Sequence, residues 1–392
     1  MATSTNPDPT YIYSQTIGNQ STPPAHGFSA PVNVAIGTQG ELFVICNYYE
    51  YQKNTKFIVK CSMDEEYIQH FGSYGTQPGE LTWPNSLAVD SKGNVYLSDE
   101  WLNRITIFDN NGVFLDYWGE EGSEIGMLNR PAGLAFDHDG NLLIADSFNH
   151  RIQKFTCDGK FLDSWGQQGT EPGRFNTPWG ISIDSEGNTW VADWRNDRVQ
   201  QFSRDGSFIK QIGRTGTNAS EFNRPSGVAV DNEGYLYVVD WGNDRVQVFD
   251  PKGRFVTQFF GDCPGFSKWA IARMASDPEE MAAQRVQSKT LELERLFYQP
   301  TGIQVDSENR ILIVDCGRHR IQIYQKASVS PDTISSHLGP QRPTQHPTAI
   351  WGQLRISAIE PNKSLNSHTY YQVGLNPSEV ISTFHLKRSS RQ

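Results

Sequence analysis

Short runs rich in Val, Ile, Phe, Tyr and Trp alternate with polar turns built from Gly, Asn and Asp along most of the chain. After Pro131 these runs occupy residues 133–136, 142–146, 151–155 and 161–165. Runs of about five β-branched and aromatic residues bounded by turn residues predict β-strands. Four such strands joined by short turns predict an antiparallel meander.

The same unit recurs along the chain. Pro84, Pro131, Pro178 and Pro225 open successive units and are each 47 residues apart. Outlying copies begin at Pro31 and at Pro300, which makes six repeats. Meanders of this length repeated around a ring predict an all-β, six-bladed β-propeller.

The sixth repeat lacks a fourth strand after Tyr324, whereas residues 11–18 resemble the fourth strand at 161–166. The N-terminal strand is therefore expected to complete the last blade, which removes an open sheet edge. The predicted organisation is an N-terminal closing segment, the propeller with a helical insertion, and a C-terminal linker with a strand-rich extension. Their ranges are 1–27, 28–328 (insertion about 262–296) and 329–392.

The repeat resembles the NHL repeat. The resemblance rests on three features: the Pro-x-Gly opening, as in Pro131-Ala-Gly133, the aspartate after strand two, and the Asn-x-Arg-Ile-Gln-x-Phe run at 149–155. This resemblance covers roughly residues 11–328 and implies a six-bladed propeller. It implies little about activity, because similar propellers include RNA-binding, protein-binding and sensor modules as well as lyases and lactonases.

An aspartate at the end of strand two is followed five residues later by an arginine in five repeats. The pairs are Asp99/Arg104, Asp146/Arg151, Asp193/Arg198, Asp240/Arg245 and Asp315/Arg320. Because the pair recurs, we expect a structural carboxylate–guanidinium brace, with a central charged ring as the alternative. The first repeat has Asn47 and Lys56 in those places, which predicts a weaker brace there.

Aromatic residues that do not repeat gather on one face. The connections between strands two and three and the links between blades emerge together, on what is here called the top face. The aromatic residues predicted there are Trp83, Trp101, Trp179, Trp194, Trp241 and Tyr48. They would either line a pocket for an apolar or aromatic small molecule or a cation, or pack between blades.

Three polar residues on the same rim are candidates for proton transfer: Glu100, His150 and His319. The alternative for the histidines is a solvated place on the rim. Zinc histidines of the amidating lyases that share this propeller type follow the blade-opening prolines, and that site is absent here. No metal is therefore predicted, although Asn33, Asn85 and Glu100 would offer oxygen ligands to calcium in the central channel.

The insertion before the sixth blade contains Ser276-Asp-Pro-Glu-Glu280, which predicts a helix beginning after Ser276. An apolar stripe of Ala282, Val286, Leu293 and Phe297 follows at helical spacing. This helix would either roof the top face or cover the side of the propeller.

Composition removes several classes of protein. The net charge of −10 disfavours nucleic acid, and no apolar run is long enough to cross a membrane. Five widely spaced cysteines argue against a disulfide framework, and the N-terminus lacks the features of a secretory signal, which predicts a cytoplasmic location. The predicted function is a small-molecule enzyme, a lyase, hydrolase or cyclase. The alternative is a non-catalytic scaffold that binds a protein or peptide on the same face.

Overall fold

The computed structural model describes residues 8–21, 23, 25–48, 55–276 and 294–327. Its strands, in chain order, are β1 Thr10–Ile17, β2 Pro31–Ile36, β3 Leu42–Asn47, β4 Lys56–Cys61, β5 Tyr67–Phe71, β6 Pro84–Val89, β7 Val95–Asp99, β8 Arg104–Phe108, β9 Phe114–Trp118, β10 Pro131–Phe136, β11 Leu142–Asp146, β12 Arg151–Phe155, β13 Phe161–Trp165, β14 Pro178–Ile183, β15 Thr189–Asp193, β16 Arg198–Phe202, β17 Phe208–Ile212, β18 Pro225–Val230, β19 Leu236–Asp240, β20 Arg245–Phe249, β21 Phe255–Phe259, β22 Pro300–Val305, β23 Arg310–Asp315 and β24 Arg320–Ala327. The helix α1 spans Lys268–Ser276, and single 3₁₀ turns span Ser147–Asn149, Trp194–Asn196, Trp241–Asn243 and Cys316–Arg318.

These strands form six antiparallel sheets of four strands each, and each sheet is one repeat of the sequence. The first strands of neighbouring blades contact one another around the ring, so β2, β6, β10, β14, β18 and β22 surround the central axis. The predicted six-bladed propeller is therefore confirmed. Among the described residues, no helix is long and apolar enough to span a bilayer.

The sixth blade takes its outer strand from the beginning of the chain. Strand β1 pairs antiparallel with β24, with Tyr11 opposite Lys326 and Ile17 opposite Ile321. The Tyr11 ring also packs edge-to-face against Phe259 of blade five, with 5.3 Å between ring centroids. Strand β1 thus closes the ring and attaches it to the preceding blade.

The inner strands approach one another too closely for side chains at two consecutive blades. A Cβ atom placed on Gly133 would lie 2.2 Å from the carbonyl oxygen of Trp179, and one on Gly180 would lie 2.6 Å from that of Ser226. Such distances are below any van der Waals contact, so only glycine fits. The channel is tightly walled here, so a ligand has more room at its mouth on the top face than between these strands.

The predicted brace forms in blades three to six. The guanidinium Nε lies 2.7–2.8 Å from a carboxylate oxygen in the pairs Asp146/Arg151, Asp193/Arg198, Asp240/Arg245 and Asp315/Arg320. Each of these aspartates is fully buried. In blade four, Arg198 also donates to the carbonyl oxygens of Thr170, Glu171 and Arg174, which ties the blade to the link before it.

The helix of the insertion lies against the junction of blades six and one. Trp269 is buried in a core cluster with Phe28, and the backbone N–H of Lys268 donates to the Glu65 carboxylate. Ser276 is the last residue of α1, and its hydroxyl donates to the carbonyl of Arg273. The described part of the insertion thus covers the side of the propeller. The helix predicted after Ser276, and the extension at 329–392, lie outside the described residues.

Candidate functional site

One residue in each of five blades joins that blade to the next on the top face. It has a left-handed backbone, with φ between 49° and 56°, and it directly precedes the first arginine of strand three. Its side chain accepts a hydrogen bond from the backbone N–H of the residue before the next blade-opening proline. These inter-blade staples are Asn103 with Arg130, His150 with Thr177, Asp197 with Arg224, Asp244 with Gln299 and His319 with Ala30, at 2.7–3.1 Å.

The predicted catalytic histidines are both staples. Nδ1 of His150 and of His319 accepts a backbone N–H, so each ring is neutral and carries its proton on Nε2. Burial lowers the pKa of His319 to about 4 and also lowers the pKa of His150. They lie at the boundaries of blades three and four and of blades six and one. Within the described part of the chain, no contact joins either histidine to Glu100. Their geometry gives them a structural role.

The boundary between blades one and two breaks this pattern. The residue at the staple position there is Lys56, whose ammonium group has no lone pair with which to accept an N–H. The backbone N–H of Trp83 donates instead to Asp99, which also accepts the N–H of Thr82. The Trp83 N–H, which has no staple acceptor, is thus accepted by Asp99. In blades three to six the equivalent aspartate pairs with the brace arginine.

The predicted brace between Asp99 and Arg104 does not form as a consequence. Asp99 is surrounded by backbone N–H donors, including that of Leu102, and burial raises its pKa. Arg104 donates to the Thr106 hydroxyl at 3.2 Å and to three backbone carbonyls of the link. In blades three to six, a glutamine at the position of Thr106 donates to the aspartate instead.

The prediction that Asn47 and Lys56 occupy the brace positions of blade one is also wrong. The equivalent positions are Cys46 and Phe57, each one residue away. Cys46 lies opposite Pro31 as Asp99 lies opposite Pro84, and the Ser29 N–H donates to the Cys46 sulfur at 3.4 Å. Strands β3 and β4 continue to pair for one residue beyond Cys46, with Asn47 opposite Lys56, whereas the equivalent pairing in the other blades ends at the aspartate. The insertion between them conceals this longer pairing in the sequence.

Glu100 directly follows Asp99, the carboxylate displaced at this irregular boundary, and is only 3% exposed. The Asn85 amide donates to its carboxylate. Burial raises the pKa of Glu100 to about 7, although the Asn85 hydrogen bond and the charge of Arg130 both act to lower it. A carboxyl group that titrates near neutral pH can both accept and donate a proton during a reaction.

Lys56 is a second group with a displaced pKa at the same boundary, and sequence reasoning did not identify it as a site residue. It is fully buried, and burial lowers its pKa to about 8. Its ammonium donates to the Asn47 side chain at 2.6 Å and lies 4.9 Å from the centre of the Trp83 ring. Asn47 in turn donates to the carbonyl of Pro84, next to Asn85. The signal was present in the sequence as a lysine inside an apolar strand.

The predicted aromatic residues divide into buried and accessible rings. Trp194 is 7% exposed and lies 5.6 Å from Trp179, with the Arg224 guanidinium 5.0 Å from its ring centre. Trp179 is half-buried and packs against the core between blades three and four. Trp101 is 42% exposed. The remaining predicted rings, Trp83, Trp241 and Tyr48, are half-buried. The structure therefore brings Trp179 and Trp194 together in blade four.

The oxygen donors considered for calcium at the mouth already have hydrogen-bond partners among the described residues. In the described ranges, no three His, Cys, Asp or Glu residues lie close enough to hold an ion. Of the oxygen ligands considered for calcium, Asn33 Oδ1 already accepts the Leu87 N–H at 3.3 Å, and the Glu100 carboxylate is engaged by Asn85. One carboxylate with two amides is a poor donor set for calcium, which takes six to eight oxygens.

Comparison with protein families gives two matches. The sequence model of the SMP-30/gluconolactonase/LRE-like region matches residues 13–221, and that of the NHL repeat matches residues 222–249 and 297–324. Together they cover all six blades. No curated protein matches the sequence.

Solved structures share the fold at low identity. A streptogramin B lyase is 14% identical, with a TM-score of 0.50, over 81% of this chain and 98% of that one. Virginiamycin B lyase from Staphylococcus aureus is 14% identical, with a TM-score of 0.50, over 81% and 99%. A protein of unknown function from Bacteroides thetaiotaomicron is 18% identical, with a TM-score of 0.54, over 82% and 77%. At these identities the likeness establishes the propeller alone.

Proposed function

Because the chain belongs to the SMP-30/gluconolactonase/LRE-like family, we propose that it is a small-molecule enzyme whose site lies at the top mouth of the channel, with Glu100 as its proton-transfer group. The observation that carries the proposal is the pKa of Glu100, which burial raises to about 7. Glu100 directly follows Asp99, the carboxylate that accepts the Trp83 N–H in place of a staple and no longer pairs with its brace arginine. An active centre is expected to break the symmetry of a repeat in this way.

The reaction class that fits is hydrolysis of a small ester or lactone, as the name of the family's gluconolactonase member suggests. The Glu100 carboxylate accepts a proton from water while the water oxygen bonds to the carbonyl carbon. The carbon–oxygen bond to the leaving group then breaks, and the carboxylic acid returns the proton to the departing alkoxide. A group with a pKa near the working pH serves both steps, which is the condition for efficient general acid–base catalysis.

Two further side chains of the top face have separate roles in this proposal. The Asn85 amide fixes the orientation of the carboxyl group through its hydrogen bond. The half-buried ring of Trp179 offers a flat apolar surface to the substrate. A lyase would use the same carboxylate to remove a proton from carbon. Incorporation of ¹⁸O from labelled water occurs in hydrolysis and not in elimination, so it separates the two reactions.

The test is turnover of glucono-1,5-lactone and dihydrocoumarin, followed by proton release, in wild type and Glu100→Gln. Glutamine keeps the acceptor for Asn85 but cannot transfer a proton, so kcat/KM should fall at least about 100-fold with an unchanged melting temperature. The wild-type pH limb near 7 should be absent from the variant. Glu186→Gln, at an exposed turn of the opposite face, is the matched control. Full turnover by Glu100→Gln would show that the proposal is wrong.

The second candidate, a scaffold for a protein or peptide, is favoured by apolar side chains exposed in and after the insertion. Phe266, Ile271 and Tyr298 are 45%, 54% and 45% exposed. Such residues suit a partner surface better than a small-molecule pocket. No turnover of either lactone, together with binding of a peptide that Ile271→Ser abolishes, would favour the scaffold.

A further inference from the structure

Two arginines on the top face differ from every arginine of the brace. Arg130 and Arg224 each directly precede a blade-opening proline, and each is half-buried. The Arg130 guanidinium lies 5.8 Å from the ring centre of Trp101 and 5.0 Å from that of Phe148. The Arg224 guanidinium lies 5.0 Å from that of Trp194. Both are therefore held on aromatic rings.

Among the described residues, the donors of these two guanidinium groups have no protein acceptor. Among the residues that the structure describes, no carboxylate or carbonyl oxygen lies within hydrogen-bonding distance of either group. By contrast, Arg198 of the brace donates to Asp193 and to three carbonyl oxygens. A guanidinium that keeps its charge and five N–H donors, while its ring contacts fix its plane, is suited to an oxyanion that accepts two bonds at once.

The two arginines are also confined to one side of the mouth. Their blade boundaries, two to three and four to five, enclose blades three and four, and blade four carries the Trp179–Trp194 pair. Arg130 lies close enough to Glu100 for its charge to act on that carboxyl group. The equivalent positions of the other four boundaries hold Ala30, Trp83, Thr177 and Gln299. Cations, a ring surface and the proton-transfer residue therefore share one arc of the mouth, in a chain whose net charge is −10.

We propose that the mouth selects small molecules that carry an oxyanion, a carboxylate or a phosphate ester, beside a flat ring, with Arg130 and Arg224 binding the oxyanion. This inference rests on the proposed small-molecule site and specifies the charge of its substrate. The half-buried ring of Trp179 contacts the ring of the ligand, and the arginines favour an anion over a neutral analogue of the same ring, because the neutral analogue leaves guanidinium donors unsatisfied.

Isothermal titration calorimetry of the full chain with three probes tests the proposal. The probes are 2-naphthoate, 2-naphthyl phosphate and the neutral 2-naphthamide. We expect at least one anion to bind about tenfold or more tightly than the amide, which corresponds to about 1.4 kcal/mol. Whichever anion binds more tightly identifies the oxyanion as carboxylate or phosphate.

Arg130→Gln and Arg224→Gln are suitable variants, since Gln299 occupies the equivalent position of blade six with the same left-handed backbone, φ 52°. Each should reduce the anion preference several-fold, and the double variant should abolish it. Arg204→Gln, which removes an exposed charge in a turn of blade four, is the control and should leave the preference intact. An equal loss in that control would assign the effect to net charge and overturn the proposal.

Further binding results would also overturn the oxyanion proposal or separate it from the proposed function. Equal affinity for amide and anions, or no binding of any probe at millimolar concentration, would overturn the inference. Tighter binding of a single-stranded RNA oligonucleotide than of either naphthyl anion would assign the arginines to nucleic acid instead. The Glu100→Gln variant separates the two proposals, because it should lose turnover and keep anion binding. Lost anion preference with intact, Glu100-dependent turnover would refute only the present inference.

Discussion

Replacing His319 by asparagine should change the acid stability of the propeller without changing its fold. Nδ1 of His319 accepts the Ala30 N–H at 2.9 Å, and Oδ1 of Asn103 accepts the Arg130 N–H at 2.7 Å in the equivalent place of blade two. Asparagine also tolerates the left-handed backbone that His319 adopts, with φ 56°. His319→Asn should therefore keep the staple, and near pH 7.5 its free energy of unfolding should lie within about 1 kcal/mol of wild type.

The pKa of His319 sets how much the free energy of unfolding changes with pH. Burial lowers the pKa of folded His319 to about 4, whereas unfolded histidine titrates near 6.5. Between these values the unfolded chain binds more protons, so the wild-type protein loses stability as the pH falls from about 6.5 towards 4. At pH 5 the loss from this one group is about 2 kcal/mol. Asparagine does not titrate, so the variant should gain about 2 kcal/mol relative to wild type between pH 7.5 and pH 5.

Urea unfolding at the two pH values measures this difference, because all other titrating groups are common to both proteins. His138→Asn, at an exposed turn, is the control and should follow wild type at both pH values. His150→Asn should shift acid stability in the same direction, since burial also lowers the pKa of that staple. A parallel loss of stability in wild type and both staple variants would refute the neutral-acceptor role of the histidines.

Two further predictions concern stability. Asp193→Ala should cost about 3–5 kcal/mol in urea unfolding, because it removes a charged hydrogen bond from buried Arg198 and the acceptor of the Asn176 N–H; the exposed Asp163→Ala should change stability by less than about 0.5 kcal/mol. Trp194→Leu should cost about 2–4 kcal/mol in the same assay, because the ring is 7% exposed, and a nearly unchanged stability would mean that this ring contributes little to packing.

The blades could be predicted from the sequence because each repeat contains every signal that its fold requires. The 47-residue spacing, the blade-opening prolines and the strand-like runs all agree, and local and global preferences therefore indicate one architecture. The brace could be predicted for the same reason, since the same two residue types recur at a fixed separation.

The staples were missed because their function is shared but their residue type is not. Asn103, His150 and Asp197 are dissimilar in the sequence, and two of the five staples were therefore interpreted as catalytic histidines. What they share is a side-chain acceptor on a left-handed backbone, which a comparison of residue types does not detect. The helix Lys268–Ser276 was also not predicted, because the start signal recognised in the insertion was the one at Ser276.

The altered boundary between blades one and two can be traced to one residue. Lys56 cannot accept the Trp83 N–H, so Asp99 accepts it and is no longer available to Arg104. The fold thereby gives up a charged pair and keeps an amine buried, and both changes oppose stability. Natural repeats depart from their own rules mainly where function requires it. The residue that follows Asp99 in the chain is Glu100, and this is why we place the chemistry beside this displaced carboxylate rather than at the histidines of the regular boundaries.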